Sequence, residues 1–122
     1  MTRAVRGAIT AGENTRAAIH EASLRLMKEL MHANGIQADD IVSVIWSLTT
    51  DLDAGNPATG LREAGFTETP LFCVQEANVE GGMAGVIRAL VTFECDPARK
   101  TTAVYLDGAE ALRPDLGKGR GR

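Results

Sequence analysis

Two arginines stand inside stretches that otherwise read as apolar strands. Arg88 interrupts the run "VIRALVTF", and Arg6 lies within "RAVRGAIT". A guanidinium keeps its proton in a protein, and burying one unpaired is costly, so each cation requires an anion nearby. Strand alternation places Arg88 on one face with Val86, Leu90 and Thr92, while Ile87, Ala89, Val91 and Phe93 point the other way. Its anion is either a carboxylate of the chain, with Glu76 and Glu94 as candidates, or a ligand. Arg6 is open to the same two readings, an ion pair at the sheet edge or a bound anion. It lies between Ala4 and Ala8, whose small side chains leave room around its head group. Two strand-borne guanidinium forks would suit carboxylates, because the planar fork grips such a group through two parallel hydrogen bonds. Tyr105, the single tyrosine, either adds a hydroxyl donor or simply packs.

Other chemistries lack their residues. His20 and His32 lie on one predicted helix, twelve positions apart, a spacing that suits no pair of metal ligands. They read as surface or partly packed histidines. No zinc-protease, nucleophile-elbow, P-loop or dinucleotide-binding motif is present. Cys73 and Cys95 form no C-x-x-C pair, and Cys73 has no histidine close in sequence. Both are expected as free thiols in a reducing cytoplasm. With 13 Lys and Arg against 16 Asp and Glu, the net charge is −3, which does not favour nucleic acid. The terminal "GKGRGR" is basic but has no interleaved aromatics, so it reads as a solvated tail. No apolar stretch approaches the roughly 20 residues of a membrane span, and the N-terminus has no secretory pattern. The expectation is an enzyme or binder without metal or cofactor.

Elements that must position these residues follow from periodicity. Residues 3–10 predict a strand. Thr15 or Asn14 caps a helix reaching about Ala33, with Ile19, Ala22, Leu26, Met27 and Leu30 as its apolar stripe and Asn34-Gly35 as its stop. "ADD" suits a helical turn, and 41–50 a β-branched strand buried on both faces. Pro57 opens a short helix over 57–64. Thr69-Pro70 leads into a third strand from Leu71, and "EGG" at 80–82 separates it from a fourth over 86–93. Residues 102–106 predict a short fifth strand, and "DGAEALRPDL" an irregular segment or one helical turn. The order β-α-β-α-β-β-β is an α+β domain, a single mixed five-stranded sheet with two helices on one face. It spans residues 1–116, and 117–122 form the flexible C-terminal tail. Two helices cover only one face of such a sheet, so the other requires a cover, and a second copy of the chain supplies it most economically.

The motifs together resemble one family. "RAVRGAIT", "PATGLRE", "CVQE" with the following "GG", "IRAL", "VYL" and "LRPDL" come in the order and spacing of the monofunctional chorismate mutases of the trimeric α/β-barrel class, over about residues 3–116. The resemblance implies a homotrimer with a pseudo-α/β-barrel core and active sites between subunits. It implies the intramolecular [3,3] Claisen rearrangement of chorismate to prephenate, in aromatic amino-acid biosynthesis. It assigns Arg88 to the ether oxygen, Arg6 and Tyr105 to a substrate carboxylate, and Glu76 to the ring hydroxyl. It places Cys73 at the same end of the pocket and Arg62 at the cleft mouth. Leu112 and Arg113 match a segment closing over the site.

This chain also departs from the pattern. Asn56 stands where an aromatic lining residue is expected, and Thr59 where a lysine is, which predicts weaker binding of a dianion. Parity puts Cys73 and Glu76 on opposite faces unless the chain bends between them. Two alternatives stand beside the enzyme: a non-catalytic carboxylate sensor on the same scaffold, and a trimer resembling the imine deaminases, whose motifs do not match here.

Overall fold

The structure, a computed structural model, describes residues 1–112. Arg113 and the expected tail at 117–122 lie outside the described residues. Five strands and two helices follow the predicted order: β1 (Thr2–Thr10), α1 (Arg16–Asn34), β2 (Ile41–Leu48), α2 (Pro57–Glu63), β3 (Leu71–Gln75), β4 (Val86–Glu94) and β5 (Val104–Leu106). Two 3-10 turns, Ala38–Asp40 and Ala109–Leu112, complete them.

Local chemistry accounts for the boundaries. The Thr15 side chain accepts from the Ala18 amide at 3.1 Å, satisfying one of the donors left open at the start of α1. Gly35 ends the helix at φ 61°, a left-handed conformation that costs glycine little. Asn56 caps α2 by accepting from the Ala58 amide at 2.8 Å, and Pro57 follows where its missing N–H is harmless.

The sheet order is β3-β2-β4-β1-β5. The central pairs β2–β4 and β1–β4 are antiparallel, and the outer pairs β2–β3 and β1–β5 are parallel. Side chains of one parity, including Val5, Ile9, Val44, Trp46, Ile87, Val91 and Phe93, share a core with Ile19, Leu26, Met27 and Leu30 of α1 and Leu61 of α2. Both helices therefore lie on one face. A bulge between Ile41 and Ser43 lets Ile41 and Val44 both point into that core, leaving Val42 exposed.

Strand β2 is not buried on both faces as its composition suggested. Val42 and Ile45 are 45% and 44% exposed, and Phe72, Val74 and Leu90 join them on the open face, with Phe72 at 65%. An apolar run therefore recorded a surface that this chain alone leaves open. A contiguous apolar face of this kind marks an interaction surface. No helix among the described residues is long and apolar enough to cross a membrane.

Candidate active site

Register brings the chemistry together. Arg88 pairs with Ala8 on one side and Ser47 on the other, Tyr105 pairs with Ala8, and Val74 pairs with Ser47. One row thus crosses all five strands on the open face: Val74, Ser47, Arg88, Ala8, Tyr105. The next row holds Arg6 opposite Leu90, then Ile45 and Phe72. Paired residues share a face, so the two arginines and the tyrosine surround the small side chain of Ala8. The space left above it is a cavity of about 200 Å³, with Arg6, Tyr105, Arg88 and Ser47 as its polar walls and Leu90 and Ile45 as apolar ones.

Of the two internal acids considered for Arg88, Glu76 is the partner, at 2.7 Å from Nε to Oε1. Glu94 instead faces the N-terminal amine at 3.5 Å and accepts from Thr2. Glu76 is itself fixed twice more. Its amide donates to the Leu48 carbonyl at 2.8 Å, and its Oε2 accepts from the Ser47 hydroxyl at 3.0 Å. The Arg88 side chain is 44% exposed, so the expectation of a buried cation is corrected for the chain alone. The sheet face that would bury it is uncovered.

The ion pair engages Nε and leaves the terminal nitrogens for another anion. Among the described residues Arg6 makes no ion pair. Around this cavity, among the described residues, two guanidinium groups stand against the single carboxylate of Glu76, a surplus of positive charge. Arg88 and Glu76 also border a second hollow of about 260 Å³, which reaches Asp51, Asn78 and Met83.

The segment after Tyr105 is tied down by one turn. Asp107 adopts φ 54°, uncommon outside glycine, and its carbonyl accepts from the Thr10 hydroxyl. Its carboxylate meets Arg25 of α1 at 2.6 Å. The chain then runs into the turn Ala109–Leu112, where Ala109 and Leu112 pack against Ala8, Val86, Met83 and Tyr105. Leu112 thus lies beside the row that carries Arg88.

Cys73 and Arg62 do not join this cavity within one chain. Cys73 has the parity of Leu71 and packs against the helix-side core, bordering a separate hollow of about 300 Å³ with Thr49 and Gly55. Burial pushes its thiol pKa up, so it is a poor nucleophile there. Arg62 is exposed on the last turn of α2, in the helix layer. Parity had separated Cys73 from Glu76, and no bend reunites them.

The Asn56 side chain is occupied as a helix cap, and its backbone N–H donates to Nε2 of His20 at 3.2 Å. His20 is 13% exposed, with Nδ1 lying 3.4 Å from Glu63. It is therefore a packed link between α1 and α2, one of the two roles expected for it. Ser47 was missed by sequence reasoning. Its alternation with Ile45 within "IVSVIWSL" was the available signal, but a serine in a strand has many bland explanations. Among the described residues no cluster of three His, Cys, Asp or Glu side chains could hold a metal ion.

Comparison with known proteins bears on this geometry. The family model described as chorismate mutase type I matches residues 2–116. A chorismate mutase AroH of Thermus thermophilus is 41% identical over 118 residues, covering 95% of this chain and 97% of that protein. The AroH of Bacillus subtilis (strain 168) is 36% identical over 118 residues, covering 95% and 93%. A solved chorismate mutase from Clostridium thermocellum superposes with a TM-score of 0.86 at 40% identity, over 90% of this chain and 99% of that one. The chain belongs to the type I chorismate mutases.

Proposed function

We propose that this chain rearranges chorismate to prephenate in the cavity above Ala8, using fixed charge and orientation alone. The observation that carries the reading is the row across the sheet, with Arg88 and Tyr105 flanking Ala8 and Arg6 one row away around a cavity of about 200 Å³. A concerted [3,3] shift breaks the ether C–O bond as the new C–C bond forms. It requires no nucleophile, no proton transfer and no electron carrier. It requires the substrate folded into a chair-like form and positive charge at the ether oxygen, where negative charge grows.

Arg88 supplies that charge through its terminal nitrogens while Glu76 holds Nε. Arg6 and Tyr105 hold a substrate carboxylate, and Glu76 accepts from the ring hydroxyl. Leu112 packs beside Tyr105 at the edge of the site. Arg62 and Cys73 stand away from this cavity in their own chain, so they serve a neighbour's cavity in a homotrimer. The exposed apolar residues Phe72, Val74, Ile45 and Leu90 support such an assembly, since each would be covered by a second copy. The enzyme then acts in the cytoplasm, feeding aromatic amino-acid synthesis.

The test is direct. Purified protein mixed with chorismate, without added metal or cofactor, yields prephenate, and its sedimentation coefficient reports a trimer. Binding of chorismate without turnover would replace the enzyme by a sensor. A monomer with full activity would sink the shared site.

A further inference from the structure

Arg88 has two direct neighbours in its row, Ala8 and Ser47, and Ser47 is the one that family motifs leave without a task. Ser47 lies opposite Arg88 on β2, yet its hydroxyl bonds to the acid beside Arg88 rather than to Arg88 itself. We propose that Ser47 is a positioning residue for Arg88, acting through Glu76; this rests on the chorismate mutase reading of the cavity.

Glu76 follows the last residue of β3 and carries a flexible side chain whose terminal torsion has no sharp preference. Its backbone is held by the bond to Leu48, which leaves the carboxylate free to turn. The Ser47 hydroxyl removes that freedom at Oε2 and so presents Oε1 to Nε of Arg88 at 2.7 Å. The carboxylate charge beside Nε anchors the strand-proximal end of the planar guanidinium, which limits where the terminal nitrogens lie. A donor fixed in advance stabilises a developing charge without reorganising, whereas a mobile one must first be ordered. With its side chain 44% exposed, Arg88 is only partly fixed by packing.

A serine that merely satisfies itself on the nearest acid has different consequences. Its loss would shift stability and leave turnover alone. A positioning serine affects kcat, and only while Glu76 remains able to hold Arg88. Hydrogen bonds to charged groups are among the stronger ones, so the expected loss is about tenfold, equivalent to ~1.4 kcal/mol.

The experiment measures kcat, KM and Tm for the unaltered enzyme, Ser47→Ala, Ser47→Thr, Glu76→Gln and the Ser47→Ala/Glu76→Gln double variant. Ser47→Ala should lower kcat about tenfold with KM within about twofold and Tm unchanged. Ser47→Thr keeps the hydroxyl and should recover most of the rate. In the Glu76→Gln background the Ser47→Ala change should cost less than about twofold, because the intermediary is already gone. In parallel, exchange of the Arg88 Nε–H with solvent, followed by NMR in the protein without substrate, should quicken in Ser47→Ala. Normal kcat in Ser47→Ala, an undiminished loss in the Glu76→Gln background, or unchanged Nε–H exchange would each overturn the inference. An unaltered enzyme that fails to turn over chorismate overturns the function instead, and the exchange measurement still decides whether Ser47 positions Arg88.

Discussion

Replacing Arg88 by lysine keeps the charge and removes the fork, which makes Arg88→Lys the most discriminating single change. In the native site Nε lies 2.7 Å from Glu76 Oε1, and the terminal nitrogens stay available to the substrate. An ammonium has one nitrogen. Drawn to Glu76, that single nitrogen is committed to the carboxylate, because an ammonium is a point charge and not a fork. It is then withdrawn from the ether oxygen. Loss of one donor aimed at developing charge costs about 2.7–4 kcal/mol, which predicts a fall in kcat of about 10²–10³. Substrate binding should suffer less, because in the proposed site Arg6 and Tyr105 are the groups that hold the carboxylate. Tm should change by only a few degrees, since a partly exposed ion pair contributes about 1 kcal/mol or less. Steady-state consumption of chorismate, with thermal unfolding as the control for folding, decides the matter. A variant within about threefold of native kcat and with normal Tm would refute the assigned role, whatever happened to KM.

Four further outcomes follow from the same geometry. A methyl group on Gly7 would stand 3.0 Å from the Val104 carbonyl and 3.0 Å from Leu30 Cδ1, so Gly7→Ala should cost about 1–3 kcal/mol and raise KM by displacing Tyr105, measured by Tm and kinetics. Phe72→Asp places a charge on the open apolar face, and sedimentation should show smaller species with activity lost in step. Thr59→Lys should lower KM for the dianion at low salt, with the gain fading as ionic strength rises. Hydrogen bonds from Thr49 and then from the Gly85 amide hold the Asp51 carboxyl below its ordinary pKa of 3.8. Its folded pKa is depressed, so its contribution is complete above that value and is lost as pH falls below it. Acid unfolding of Asp51→Asn should lack that component.

What the sequence made legible has a physical pattern. The cap Thr15, the stop at Gly35 and the opening Pro57 act within a few positions of themselves, so each boundary can be read locally. The cap Asn56, by contrast, reads in the sequence only as a departure from the family pattern. Face assignments survive too. Alternation separated Arg88 from Ile87 and Cys73 from Glu76, and both separations hold in three dimensions. Strand order was not legible, because pairing β4 between β1 and β2 depends on contacts across long loops rather than on local pattern. Nor was the bulge at Val42, which changes the face of one residue without leaving a compositional trace.

The open face carries the deeper lesson about Arg88. Its apolar neighbours suggested burial, and the chain by itself leaves the side chain half in water beside Leu90 at 41% exposure. Both facts are consistent if the cover comes from outside the chain. An arginine already paired with an acid could have been a closed structural contact, and a cavity on its far side argues otherwise. Glu76 engages the one nitrogen closest to the strand, Ser47 holds Glu76, and Ala8 keeps the next position in the row small. A purely structural ion pair requires neither the small neighbour nor the second arginine at Arg6. Charge that is paired on one edge and open on the other is stable enough to fold without substrate and still incomplete without an anion. That incompleteness is what a reaction driven by fixed charge requires of its resting site.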